Sequence, residues 1–179
     1  MKTEYEIRIL EIDVENFIEQ IESLGAIKDE DYFQRRYVYD LISKTDNEWI
    51  RLRSDGKTTT LTYKCIESGK IDGTKEIEIT VSDFAKTNEL LEKMGYVSKG
   101  YQENKRTRYY LEEIEIDIDS WPGIPIYVEI EGPNEITINQ FLDKIKYNKN
   151  NLTSLDVQNI YYKYGYKEED LKELKFEEK

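Results

Sequence analysis

The sequence predicts an α+β domain organised around a mainly antiparallel sheet. Short runs alternate apolar with charged residues, most are joined by brief links, and amphipathic stretches with start and stop signals lie between them. Residues 2–11 alternate as a first strand. "DVENFIEQIESLGA" reads as a helix, with Asp13 as cap, Phe17, Ile18, Ile21 and Leu24 as the apolar stripe, and Gly25 as the stop. Strands follow at 31–41 and 49–54, with a turn at "TDNE" (45–48) between them, then at 59–67 and 74–81. A second helix covers 83–95. The next segment holds one or two strands, best at 103–111, and 114–121 pairs with 126–132 across the turn "PGIP". A third helix is expected at 138–146 and a fourth at 154–165, with the acidic-basic tail adding a last amphipathic turn or fraying. A weak internal echo, a strand carrying Glu-x-Glu before a helix ending "ESLG" or "EKMG", suggests two related halves.

The chain of 179 residues is long enough for one domain with a real core. We read it as a single domain over 1–179, its core about 2–165 and its helical tail 166–179. The net charge of -12 argues against a nucleic-acid binder, since a phosphate backbone needs a basic surface, but leaves room for a local basic cavity. No membrane span or signal-peptide core is expected, and the one cysteine, Cys65, excludes an internal disulfide, in line with a cytoplasmic protein. Histidine is absent, which removes Ser-His-Asp and Cys-His catalysis and makes a typical structural zinc site a poor fit.

Residues i and i+2 share a strand face, and several strands put charge in that register. Glu4, Glu6 and Arg8 share one face; so do Arg51 and Arg53, Glu76 and Glu78, Arg106 and Arg108, Glu115, Asp117 and Asp119, and Glu129 and Glu131. Two arrangements satisfy the pattern. One is an open antiparallel sheet with a wet face, its ion pairs worth little each. The other closes the sheet around a charged interior, with helices over the apolar outside. In that case clustered carboxylates call for Mg²⁺ or Mn²⁺ and clustered bases for a phosphate-bearing anion.

The ordered series of motifs resembles a CYTH domain, the triphosphate tunnel fold of class IV adenylyl cyclases and thiamine triphosphatases. The family's opening Glu-x-Glu-x-Lys stands here as Glu4, Glu6 and Arg8; "QRRYVYD" matches its second strand; "WIRLR" brings Arg51 and Arg53; "TYK" brings Lys64; "KEIEI" brings Glu76 and Glu78; "NKR" brings Lys105 and Arg106; and "DIDSWPGIPIYVEIE" brings Asp117, Asp119, Glu129 and Glu131. The resemblance implies a closed, mainly antiparallel eight-stranded β-barrel with helices packed outside. It implies metal ligands among Glu4, Glu6, Asp117, Asp119, Glu129 and Glu131, and phosphate contacts from Arg8, Arg35, Arg36, Arg51, Arg53, Lys64, Lys105, Arg106 and Arg108. Arg35 is taken as the foremost basic contact of its strand. Arg8, Glu76, Glu78 and Arg106 are the candidate catalytic groups, and Trp49 and Trp121 are read as packing or rim residues.

The implied activity is metal-dependent hydrolysis of inorganic triphosphate or a small triphosphate ester, with Mg²⁺ or Mn²⁺ as cofactor. The alternatives are a cyclase that converts ATP to cyclic AMP and pyrophosphate, and a non-catalytic polyphosphate-binding domain. Arg8 stands where the family has Lys, so it can position phosphate but is a poor general base. That substitution, with Arg36 where a cyclase-like acid would stand, favours hydrolase over cyclase. The expected partner is the small-molecule triphosphate, with a homodimer left open.

Overall fold

The computed structural model describes residues 1–42 and 47–177, so part of the expected turn at 45–48 lies outside the described residues. Eight strands form a closed antiparallel barrel: β1 (Lys2–Ile9), β2 (Ile27–Asp40), β3 (Glu48–Ser54), β4 (Thr59–Ile66), β5 (Thr74–Val81), β6 (Ser98–Leu111), β7 (Ile114–Ser120) and β8 (Tyr127–Gly132). Neighbours run β6-β2-β3-β4-β5-β1-β8-β7, and β7 pairs back to β6 to close the ring. The region expected to hold one or two strands is the single long β6, hydrogen-bonded to both β2 and β7.

The helices lie outside. Helix α1 (Val14–Ser23) begins where the Asp13 side chain accepts from Asn16 N, and it buries Phe17 and Ile21 against Ile116, Ile118 and Ile130. Gly25, at φ 96°, takes the left-handed conformation that ends such a helix without a Cβ penalty. Helix α2 (Phe84–Lys93) is capped by Asp83 and sets Leu91 against Tyr39 and Leu52. Helix α3 (Glu135–Leu142) starts earlier than its apolar spacing indicates, because the Asn134 side chain accepts from Thr137 N and fixes the first turn there. Cover over the barrel is uneven: Ile77 and Ile79 on the outer face of β5 stay 52% and 55% exposed.

Helix α4 (Val157–Lys163), capped by Asp156, packs over one end of the barrel. The tail, expected to add a last amphipathic turn or to fray, forms a 3-10 turn at Glu168–Lys172 and then β10 (Glu173–Leu174), a short strand where a helical tail was expected, which joins β6 in parallel. A further short strand, β9 (Leu152–Thr153), adds to β1. Leu171 and Leu174 are buried with Leu10, Trp121, Tyr127, Ile160 and Tyr161 in a second core. The tail can lie on β6 because Gly100 has no side chain: a Cβ there would meet Leu171 O at 2.6 Å. Among the described residues no helix is long and apolar enough to cross a membrane.

Leu174→Ala removes a buried side chain from this tail, and is expected to lower unfolding stability by about 2–4 kcal/mol in urea titration; a loss below about 0.5 kcal/mol would mean that the tail packs only loosely.

Candidate active site

Strand alternation in a closed barrel sends every second side chain into the lumen, and the register decides which charges meet there. Glu6 lies opposite Glu131 and Arg8 opposite Glu129 across β1–β8. Arg36 lies opposite Arg53 across β2–β3, and Lys64 opposite Glu76 across β4–β5. Arg106 faces Asp119 and Arg108 faces Asp117 across β6–β7. The acids therefore come mainly from β1, β5, β7 and β8, and the bases mainly from β2, β3, β4 and β6. At the α4 end the lumen opens into a cavity of about 560 Å³, lined by Arg8, Arg36, Arg51, Arg53, Arg106 and Trp121 among others. A smaller cavity of about 110 Å³ opens at Tyr32, Arg53 and Arg108.

On the acidic side every wall carboxylate is tied to a base. Arg106 contacts Asp119 at 2.6 Å, Glu129 at 3.1 Å and also Asp117. Arg8 contacts Glu129 and, at 3.3 Å, Glu6, and donates to Leu155 O at 2.9 Å. Lys64 lies 2.7 Å from Glu4 and 3.6 Å from Glu76, and Lys2 lies 3.2 Å from Glu131. Burial pushes Glu129 towards its neutral form, but Arg8 and Arg106 outweigh it and hold this carboxyl well below the usual range. For Asp119 burial wins over Arg106, and for Glu131 it wins over Lys2, so both carboxyls are raised. Glu115 is raised to about 7 by burial and the neighbouring charge of Asp117.

The other wall carries an excess of positive charge. Arg51 and Arg53 reach one carboxylate, Glu78, at 3.4 and 3.8 Å. Glu78 also accepts from Thr62 at 2.6 Å, and its carboxyl is held below the usual range by that bond and the two guanidiniums despite its burial. Among the described residues Arg36 is in no ion pair; its guanidinium stacks 4.3 Å from the Trp121 ring centroid and donates to Asn104 at 2.7 Å. Burial and the charges of Arg51 and Arg53 push Arg36 well below the usual arginine range, and burial with Arg51 and Arg106 pushes Arg53 down to about 9. Guanidiniums resist deprotonation, so crowding of this kind favours an incoming anion over loss of a proton.

Most of the expected site residues meet in this lumen, and two do not. Arg35 faces outward over the Phe84 ring at 4.8 Å, because Tyr37 and Tyr39 on the same face pack beneath α2; Arg36 takes the inward place. Lys105 also points out, 4.5 Å from the Phe176 ring centroid. Arg108 is a half-buried mouth residue, paired with Asp117 and Glu115. Asn104 and Gln34 are buried wall residues that attention to charge alone passes over, and Trp121, expected as a packing or rim residue, is buried while lining the wide cavity. The signal was present: Asn104 has the parity of Arg106, and Gln34 that of Arg36.

Glu4, Glu6, Glu129 and Glu131 form an all-oxygen donor set on adjacent strands, which fits a hard divalent cation in type. Their side chains are turned to bases, and among the described residues no group of three or more acids is gathered to hold a metal.

Comparison with known proteins agrees with this geometry. The family model of the CYTH domain matches residues 2–170. A candidate adenylate cyclase of Methanocaldococcus jannaschii is 28% identical over 132 residues, which cover 72% of this chain and 75% of that protein. The PH1012 protein of Pyrococcus horikoshii superposes with a TM-score of 0.77 at 19% identity, covering 86% of this chain and 96% of its own. A candidate adenylyl cyclase from Hippeastrum, described as having a dominant triphosphatase activity, gives a TM-score of 0.60 at 13% identity over 92% and 96% of the two chains.

The raised Glu115 carboxyl has a pH signature. Its native pKa of about 7 exceeds the ordinary 4.5, so the stability it contributes is complete below about 4.5 and is lost as pH rises through about 7. Glu115→Gln fixes the neutral form and is expected to gain stability relative to the unmodified chain across that window, then level off. Urea midpoints of both proteins across it check this, and parallel curves would refute it.

Proposed function

The chain belongs to the CYTH domain family, and on that premise we propose that it hydrolyses inorganic triphosphate or a small triphosphate ester held in the barrel lumen. The observation that carries this reading is the cluster of Arg36, Arg51 and Arg53, in which Arg51 and Arg53 share one carboxylate, Glu78, and Arg36 pairs with none among the described residues, inside a chain whose net charge is -12. A lumen this crowded with unmatched arginine is suited to a linear polyanion, and the planar guanidinium fork matches phosphoryl oxygens. The wide cavity has room for a triphosphate and part of an organic group.

In the proposed reaction a water oxygen attacks the terminal phosphorus and the bond to the bridging oxygen breaks. Orthophosphate and the shortened chain leave, and the water proton passes to solvent. Arg36, Arg51 and Arg53 hold the non-bridging oxygens and take up the negative charge that moves onto the leaving group. Glu78 keeps Arg51 and Arg53 in place; its lowered pKa makes it a weak proton acceptor. Glu76 works through Lys64 in the same way, and Arg8 positions phosphate. Glu4, Glu6, Glu129 and Glu131 are the groups that would hold Mg²⁺ or Mn²⁺, with Asp117 and Asp119 behind them on Arg106. The cation would supply charge neutralisation at the phosphoryl oxygens.

The M. jannaschii relative's name favours the second reading, a cyclase, and the Hippeastrum relative's description favours hydrolysis. Purified protein offered tripolyphosphate, thiamine triphosphate or ATP with Mg²⁺ or Mn²⁺ is expected to release orthophosphate. Arg53→Ala should reduce kcat/KM by about 10²–10³. Cyclic AMP as the main product from ATP would replace hydrolysis by cyclisation, and no turnover with retained triphosphate binding would leave a passive binding domain.

A further inference from the structure

Among the described residues, four that line the wide cavity carry a buried N–H donor with no hydrogen-bond partner: Arg8, Arg36 and Arg51 at Nε, and Trp121 at the indole Nε1. Arg8 is already ion-paired to Glu6 and Glu129, and Arg51 to Glu78, whereas Arg36 and Trp121, only 7% and 2% exposed, adjoin each other outside any ion pair. A buried donor left unpaired is costly, so nearly all such groups in folded proteins find a protein, water or ligand acceptor. Both residues line the wide cavity. Both are also held from behind. Asn104 accepts from Arg36 and donates to Asp119 at 3.3 Å, which fixes its amide and, through it, the guanidinium. Trp121 packs edge-on against Tyr161 at 6.4 Å, and Tyr161 is anchored by donating to Pro122 O at 2.7 Å. The guanidinium then stacks on the indole, so each donor is braced by the other's ring or charge.

We propose that Arg36 and Trp121 form a single phosphoryl-binding subsite, in which the Arg36 Nε–H and the Trp121 indole N–H both donate to non-bridging oxygens of the bound triphosphate, and that Asn104 is its positioning residue. This rests on the triphosphate reading given above. It makes Trp121 a ligand-contacting residue as well as a packing one. An indole N–H adds a donor without a further positive charge, in a place where Arg51 and Arg53 already crowd Arg36. The ligand chemistry it selects is an oxyanion rich in acceptors and free of donors, as a fully ionised phosphoryl group is.

Tripolyphosphate, titrated into the full chain with Mg²⁺ and followed by calorimetry and by the indole N–H resonances, tests the subsite. The Trp121 indole signal, assigned through Trp121→Phe, is expected to move on saturation. Trp121→Phe keeps an aromatic ring under Arg36 but lacks the donor, and should weaken tripolyphosphate binding by about tenfold. Asn104→Ala should weaken it by a similar factor, with Asn104→Gln, which keeps both the acceptor for Arg36 and the donor for Asp119, recovering part of the loss. If tripolyphosphate binds while the Trp121 resonance stays still and Trp121→Phe binds as tightly as the unmodified chain, the subsite is wrong and the triphosphate reading stands. If tripolyphosphate does not bind the unmodified chain, both are wrong.

Discussion

Arg106 is the contact on which the interior depends. Its guanidinium reaches Asp117, Asp119 and Glu129 from the pairing of β6 with β7 that closes the barrel. Closure gives each strand an inner face with no room for apolar filling of the usual kind, because the alternation that buries Ile116, Ile118 and Ile130 outside places Asp117, Asp119 and Glu129 inside. Carboxylates so deeply buried would each cost several kcal/mol if left alone. Arg106 opposes three of them at once, and burial raises Asp119 all the same. Arg8, Arg106 and Arg108 are all matched by acids on this side, whereas Arg51 and Arg53 share the single carboxylate of Glu78 and, among the described residues, Arg36 pairs with none, which gives the lumen a polarity from wall to wall. That polarity is a property of register: a one-residue slip on any strand would turn its charges outward and its isoleucines in.

The strands were legible because period-2 alternation survives burial on both faces, whereas alternation alone fits an open sheet as well as a closed barrel, and the resemblance to the CYTH domain is what pointed to closure. Helix starts were legible at Asp13 and Asp83, where the capping residue directly precedes the apolar stripe. At α3 the stripe alone was misleading, since Asn134 starts the helix before the spacing becomes visible. The tail was illegible for another reason. Leu171 and Leu174 have no local pattern, and their burial depends on Gly100, some seventy residues away, leaving space beside β6.

Within the site, identity was easier to read than direction. Arg35 and Arg36 are adjacent and chemically alike, so only the packing of Tyr37 and Tyr39 under α2 assigns the face. Asn104 and Gln34 carry no charge and so gave no signal when charge was the guide, yet they share parity with the arginines they flank. Trp121 was read as a packing or rim residue, and it packs edge-on against Tyr161 while lining the wide cavity; its unpartnered indole N–H emerges only once that cavity exists.

Arg8 sharpens the relation between the two walls. A lysine in its place would present one compact charge, whereas the guanidinium reaches Glu6, Glu129 and the Leu155 carbonyl together. It thereby ties the acidic wall to the segment that leads into α4 over the wide cavity. The same bonds keep Glu6 and Glu129 from gathering as free oxygen donors. If the proposed triphosphate draws Arg8 and Arg106 onto its own oxygens, it releases the carboxylates that a divalent cation needs, and the cation in turn relieves the repulsion between those carboxylates and the anion. Binding of each then favours the other by the same free energy, as linkage requires. A lumen whose acids are tied to bases of the same chain is compatible with folding in an acidic protein, and under the proposed function it would become a metal and phosphate site by exchange of partners, with no change of fold.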